Sequence, residues 1–512
     1  MPNHDPITKL TPAELKFIDH LNATSSRESV LAALKADLQT AIEIELATIP
    51  IYLCTYYSLV RNTTTGEGLG PHELFVNKAG GVIMSVAVEE MLHMSLSSNI
   101  LFAMGVAPQL YGKAPAVYPT GLPYHNPVGP KGPDGATAVK IPLASFSFEQ
   151  LWHFLQIEYP EQWNAMPEDR NWATIGQFYS YIRCLIHTKF ITDADFKHGL
   201  VPNAIQPGNY SPNNVDTVYP NAKFDPWTPA PPVPAPSWAS YPGASQAAVY
   251  ADKADSHAGK GAELITISSR REAAIAIDTI CDQGEGDPIP DVGPGPDDDP
   301  SKDELSHYMK FLTLQAQLAE YVGTTEQLPK QPPPPPPQTP TMKVADLLKD
   351  KLIVDFPDNP LAAGYPPALQ PIANFCSGCF QYMLIMTETI FRVPHKDQKL
   401  FFNEGLHRSM IWVLDKYIRT MRDIPVGKGK FMAPVFENVD LGPQEHSFKA
   451  LTGLGAAAIS AAQIVQSTLH PSDDLYSVMG NIIYYVCVAT PQPQSTYSGR
   501  TLPDVHKYWA TT

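Results

Sequence analysis

Glu89-Glu90-Met91-Leu92-His93 and Asp303-Glu304-Leu305-Ser306-His307 are two distant segments that spell nearly the same pattern, a Glu-x-x-His preceded by another acid. On a helix, residues three apart lie about 60° apart around the axis, so each Glu and His can project toward one point. Two such pairs, completed by one carboxylate from each of two further helices, make a four-helix bundle that holds two metals at its centre. A single Glu-x-x-His arises readily by chance. Two copies embedded in apolar runs (Val86, Val88, Met91, Leu92; Tyr308, Phe311, Leu312) do not, because uncoordinated charge there would be costly.

Upstream of the first pair, Leu34, Leu38, Ile42, Ile49 and Leu53 recur at helical spacing and predict a helix over 26 to about 60, interrupted and kinked at Pro50. The first pair itself falls on a helix over 79–104, stopped by Gly105 and Pro108. A third long helix is predicted over about 259–282, with Ile265, Ile267, Ala274, Ile277 and Ile280 on its apolar face. A fourth starts near Ser301, whose hydroxyl is a candidate N-cap with Glu304 three residues on.

The first helix offers Glu43 and Glu45, which point apart by about 200°. Glu45 is favoured because Tyr52, seven residues on, is nearly eclipsed with it and brings an aromatic hydroxyl beside the centre. Tyr52 is therefore the candidate catalytic residue, with core filling as its plainer role. On the second helix Glu90 and His93 are the ligand pair, and on the fourth Glu304 and His307. The preceding acids Glu89 and Asp303 could substitute or could orient the ligands from behind. For the third helix Glu285 is favoured by stagger, with Asp282 and Asp278 as alternatives. The expected metal set is thus Glu45, Glu90, His93, Glu285, Glu304 and His307.

Between the second and third helices, residues from about 106 to 255 break the pattern with turn-forming dipeptides and a proline-rich stretch at 225–236. Shorter helices are predicted there at 147–158 and 174–188, and the region reads as an insertion covering the bundle. Its aromatics, Trp152, Phe154, Tyr159, Trp163, Phe178, Tyr179 and Tyr181, could line a pocket or simply pack the core, and Glu158 and Glu161 could reach such a pocket as general bases, with surface placement their plainer reading. Prolines 332–337 are expected to form an extended polyproline segment, a stiff spacer in the plainer reading or bait for a proline-recognising domain in the other. Helices at about 372–391, 401–422 and 444–468 form a further layer. The domain plan is a bundle over 1–325 with the insertion at about 106–255, a proline-rich linker at 326–345, and a C-terminal helical region, 346–512, packed on the bundle.

Lys and Arg total 36 against 52 Asp and Glu, a net charge of -16 that repels nucleic acid and anionic membranes. The N-terminus has no basic region followed by an apolar run, and no stretch gives eighteen uncharged apolar residues, so a cytoplasmic protein without a membrane partner is expected. Six cysteines in 512 residues are too few for a disulfide scaffold. The pair Cys376 and Cys379 lies in an apolar helical run without a second pair and reads as packing.

The strings Ala41-Ile42-Glu43-Ile44-Glu45-Leu46-Ala47-Thr48-Ile49-Pro50, Val88-Glu89-Glu90-Met91-Leu92-His93-Met94, Gln283-Gly284-Glu285-Gly286 and Ser306-His307-Tyr308 resemble the ferritin-like family that includes iminophenyl-pyruvate dimer synthases, enzymes of bisindole pigment pathways. The resemblance spreads over most of residues 28–440, since Ile424-Pro425-Val426-Gly427 and Ala433-Pro434-Val435-Phe436-Glu437 share it. Two positions depart from the family pattern: Leu46, where relatives carry His, and Gln177, where relatives carry Glu. The resemblance implies an all-α, ferritin-like bundle and a metal-dependent oxidation without fixing the substrate.

Carboxylate-rich sites with two imidazoles suit two iron ions, or manganese and iron, with O2 or peroxide as oxidant. The leading expectation is an oxidoreductase acting on an amino-acid-derived or aromatic small molecule in secondary metabolism. A ferritin-type iron-binding or oxidative-protection protein and a non-catalytic scaffold are the alternatives. Oligomeric state is left open.

Overall fold

In the computed structural model, residues 10–60, 71–126, 140–162, 164–197, 267–284, 306–321, 352–394, 397–398, 401, 409, 413–469, 479–480, 482–483, 486–487 and 502–510 are described. Both proline-rich stretches, Trp163, Glu285, Asp303 and Glu304 lie outside the described residues, as does the first part of the third predicted helix.

The chain opens with a helix that the hydrophobic pattern did not announce, α1 (Pro12–Thr24). Its signal is local: Thr11 and Glu14 form a reciprocal capping box, and Pro12 occupies the first turn, where its missing N–H leaves no helical bond unmade. The long helix α2 (Arg27–Ser58) follows, capped by Ser26. The expected interruption at Pro50 does not occur, and helical structure continues through it to Ser58. From Ala41 onward almost every residue of α2 is buried, and this packing outweighs the one backbone bond that proline removes. Close by, the Tyr118 hydroxyl donates to the Ala47 carbonyl, 3.1 Å.

Helix α3 (Pro71–Ala103) starts eight residues earlier than the pattern predicted and forms the main pair with α2. It ends where Gly105 takes a left-handed conformation, φ +82°. The insertion contributes α4 (Phe148–Ile157) and α5 (Ile175–His187), each with a side-chain N-cap, Ser147 and Thr174. Helix α6 (Arg270–Gly284) and helix α7 (His307–Tyr321) complete the first half. Helix α7 packs on α3 and α4, α6 packs on α3 and α5, and α5 packs also on α1 and α2. Helices α2, α3, α7 and α4 thus pack in succession, each on the next.

The second half holds α8 (Gln370–Ile390), α9 (Leu414–Met421) and α10 (Ser447–Leu469), with a short last helix, α11 (His506–Trp509). A small antiparallel pair, β1 (Pro425–Gly427) and β2 (Lys430–Phe431), was not predicted and, with two isolated bridges, is the β structure among the described residues. Polar bonds join the halves. Arg422 donates to the carbonyls of Tyr57 and Leu59, 2.8 and 2.7 Å, and Glu388 accepts from the amides of Leu110 and Tyr111, 2.6 and 2.8 Å. Apolar side chains of both halves belong to one continuous buried cluster.

Residues 444–467 are long and apolar enough to cross a membrane by length and composition alone, with a mean hydropathy of 1.4 over an eighteen-residue window, a stretch the sequence reading did not single out. One side of this helix packs on α8. Cys376 and Cys379 are both buried free thiols on α8, as a packing role requires.

Candidate metal centre

Four buried side chains from three helices come together. Glu45 comes from α2, Glu90 and His93 from α3, and His307 from the first position of α7. None is more than 3% exposed. A fifth, Glu158, caps the C-terminal end of α4 and is 2% exposed. These five form two groups able to hold a metal, Glu45 with Glu90 and His93, and Glu90 with Glu158 and His307, the candidate ligand atoms of each lying within 4.8 Å of one another. Glu90 belongs to both.

Within the groups, His93 Nδ1 is 3.6 Å from Glu90 Oε1, and His307 Nδ1 is 3.1 Å from the same oxygen and 3.4 Å from Glu158 Oε2. Nδ1 of His307 is fully buried and makes no hydrogen bond. A second layer holds the carboxylates in place. Tyr179 of α5 donates to Glu45 Oε1 at 2.5 Å, Tyr52 donates to Glu158, and Thr48 donates to Glu90. Behind the imidazoles, His93 Nε2 faces Gln283 Oε1 at 3.1 Å and His307 Nε2 faces Glu89 Oε2 at 2.6 Å. Lys310, one turn along α7 and 4% exposed, closes on both oxygens of Glu89 at 2.8 and 2.6 Å.

The electrostatics are those of a site short of positive charge. Burial, followed by the charge of Glu90, pushes the pKa of Glu45 well above the ordinary value, and burial also raises that of Glu158 against the pull of His307. Burial opposes ionisation of Glu89 and Glu90 too. It is outweighed at Glu89 by Lys310 and His307 and at Glu90 by the two histidines, so both carboxyls are held well below the usual range. Burial disfavours a charged His307, yet Glu158, Glu89 and Glu90 around it raise its pKa well above the ordinary one. Tyr52 and Tyr179 are raised well above the ordinary phenol value, by burial first and then by Glu158 and Glu45 respectively, and stay neutral donors.

The structure thus brings together Glu45, Glu90, His93 and His307, with Tyr52 bonded to the centre through Glu158. It separates Glu43 and Asp278 from the centre, while the side chain of Asp282 lies outside the described residues. Glu43 is partly exposed beside Lys113, 3.8 Å away, and Asp278 pairs with Arg183, 3.0 Å. Glu285 and Glu304 lie outside the described residues, so their expected positions carry no geometry. The surface reading of Glu158 is corrected, since the acid is buried at the centre. The region read as a covering insertion therefore supplies a carboxylate from α4 as well as the Tyr179 donor from α5. A signal was available, because an acid ending the almost wholly buried segment Phe148–Ile157 needs a partner. Gln283, Lys310 and Thr48 carried no such signal.

A family model described as Ferritin-like matches residues 38–214 and 241–316, which include all five side chains of the two groups. The chain carries a ferritin-like domain. A crystal structure of a ferritin-like protein from Caulobacter vibrioides is 18% identical, and the match covers 75% of this chain and 95% of that one with a TM-score of 0.38. Comparison with curated proteins finds no match. Among the described residues of this domain the donor set is three carboxylates and two imidazoles, with a buried imidazole nitrogen left without a hydrogen bond and close to two carboxylates. That set fits a pair of divalent, oxygen-preferring ions.

Proposed function

We propose that the chain is an oxidoreductase that uses two metal ions, iron or manganese with iron, and O2 or peroxide as oxidant. Its substrate class is an amino-acid-derived or aromatic small molecule carrying an amine or imine. The observation that carries this reading is Glu90, which belongs to both carboxylate and histidine groups. Glu45, Glu90 and His93 would hold one ion, and Glu90, Glu158 and His307 the other.

When bound, the ions supply activation of the oxidant and a path for electrons from the substrate. The protein's own residues prepare the place. Tyr179, Tyr52 and Thr48 each donate to a different carboxylate, which fixes the orientation of all three. The Tyr52 ring packs against Phe154 and Phe311, with centroids 4.8 and 5.4 Å away, and this aromatic wall keeps water from one side of the centre. Tyr52 keeps its proton and holds it at Glu158, so its hydroxyl is a donor to the centre.

The finer assignment, chemistry of the kind carried out by iminophenyl-pyruvate dimer synthases, rests on the resemblance of residues 41–50 and 88–94 to that family. It belongs with small-molecule biosynthesis in this reading. The test is anaerobic loading of the full-length chain with Fe(II), followed by O2 and imines derived from aromatic amino acids. About two metals per chain and consumption of an imine support the proposal, and a Glu90→Ala/His93→Ala double variant loses both. Uptake of many irons per chain without substrate turnover would replace it with iron handling. Failure to bind metal would leave a scaffold.

A further inference from the structure

The two candidate metal positions share Glu90, and each carries one histidine, yet the far sides of the two imidazoles meet different chemistry. His93 Nε2 faces the amide oxygen of Gln283 at 3.1 Å, a neutral acceptor. His307 Nε2 faces Glu89 Oε2 at 2.6 Å, and Glu89 is clamped by the Lys310 ammonium through both of its oxygens. Glu89 and His307 are fully buried and Lys310 nearly so.

A carboxylate that accepts from the outer N–H of a ligating imidazole fixes its tautomer and makes the inner nitrogen a stronger donor. A neutral amide does this less, because a hydrogen bond to an ionised acceptor is roughly twice as strong. Lys310 bonds both oxygens of Glu89, holds the carboxylate in place against His307, and supplies the opposite charge that a buried carboxylate needs. Lys310 also stands three residues after His307 on α7, so one helical turn delivers both the imidazole and the group that holds its partner. The Glu89 and Lys310 pair adds no net charge. The difference between the positions therefore comes from the directed bond to His307, not from general attraction for cations.

We infer that the two metal positions are unequal, the one formed by Glu90, Glu158 and His307 binding a divalent cation more tightly and filling first, with Glu89 and Lys310 as its positioning residues. This inference rests on the metal-centre reading above and adds an order of filling to it.

The probe is Co(II), titrated into the full-length chain after chelation and followed by visible absorption and calorimetry. Two separate events are expected, about tenfold or more apart in affinity. His307→Ala removes the tight event and His93→Ala the weak one. The double variant Glu89→Gln/Lys310→Met removes both charges without leaving an ammonium buried alone. It weakens the tight event about 10–100-fold and shifts its absorption bands, while the weak event stays in place. Gln283→Glu tightens the weak event and decides the matter if the double variant fails to fold. Two equal events in the native chain, or a tight event that survives in His307→Ala, overturn the inference and leave the metal centre standing. Absence of any Co(II) binding overturns both.

Discussion

The imidazole rings of His93 and His307 are stacked 5.4 Å apart at an interplanar angle of 23°. One comes from deep within α3 and the other from the first residue of α7, and the same oxygen of Glu90 lies within 3.6 Å of both rings' Nδ1 atoms. Glu90 is the only described side chain common to the two metal-binding groups.

Loss of Glu90 should therefore differ in kind from loss of its neighbours. Glu90→Gln is expected to abolish binding of both ions, whereas Glu45→Gln and Glu158→Gln should each remove one. Metal content per chain after anaerobic Fe(II) loading and gel filtration measures this. A Glu90→Gln protein that still retains two ions would show that no bridging position exists.

Tyr52 tests the layer behind the ligands. Tyr52→Phe keeps the packing against Phe154 and Phe311 but deprives Glu158 of its donor. A buried acceptor left without a partner costs about 1–3 kcal/mol, so the midpoint of denaturant unfolding of the metal-free chain should fall accordingly. An unchanged midpoint would mean that Glu158 finds another donor at no cost.

A pH-dependent element lies away from the centre. Asp37 is fully buried, with Oδ2 making no hydrogen bond and Oδ1 3.3 Å from Arg170. Burial raises its pKa from 3.8 to about 6 against the lowering effect of Arg170. The folded state then holds the proton more tightly than the unfolded one. The stability this contributes is complete below about pH 4 and is lost as pH rises through about 6. Asp37→Asn should match the native chain in acid and become the more stable of the two between pH 4 and 6, with the gap constant above. Chemical denaturation across that range reads the difference, and a gap that narrows with rising pH would contradict it.

Helix α10 meets α8 and its neighbours closely at Gly455. A Cβ there would stand 2.8 Å from Ile483 Cγ2, 3.0 Å from Cys487 Sγ and 3.2 Å from Phe375 Cε2. Three side chains cannot all retreat in a packed interior, so Gly455→Ala should destabilise the chain by about 1–3 kcal/mol. Thermal unfolding checks this, with Gly453→Ala as a control because nothing lies within 4 Å of a Cβ there.

Much of the candidate centre was legible because helical spacing is a local property. Glu90 and His93 share a face whatever surrounds them, and the burial of Glu45 rather than Glu43 followed from the same periodicity continued to Tyr52. Glu158 was not legible in this way. It ends a short helix in a region rich in turns, and its approach to His307 depends on how α4 lies across α7. Lys310 and Gln283 are ordinary helix residues until their neighbours are known.

The sequence by itself determined that helices carry residues 34–53 and 79–103 and that the Glu-x-x-His pattern is paired, since these depend on spacing within one or two turns. Helix α1, the early start of α3 and the continuity of α2 through Pro50 were not read from the hydrophobic pattern. Tertiary structure alone decided which acid of Glu89 and Glu90 faces the shared centre and which stands behind it. It also decided that the described carboxylate opposite comes from the turn-rich region. The reason is geometric: a helix fixes the angles between its own side chains, while its rotation and crossing against other helices are set by packing across the whole core.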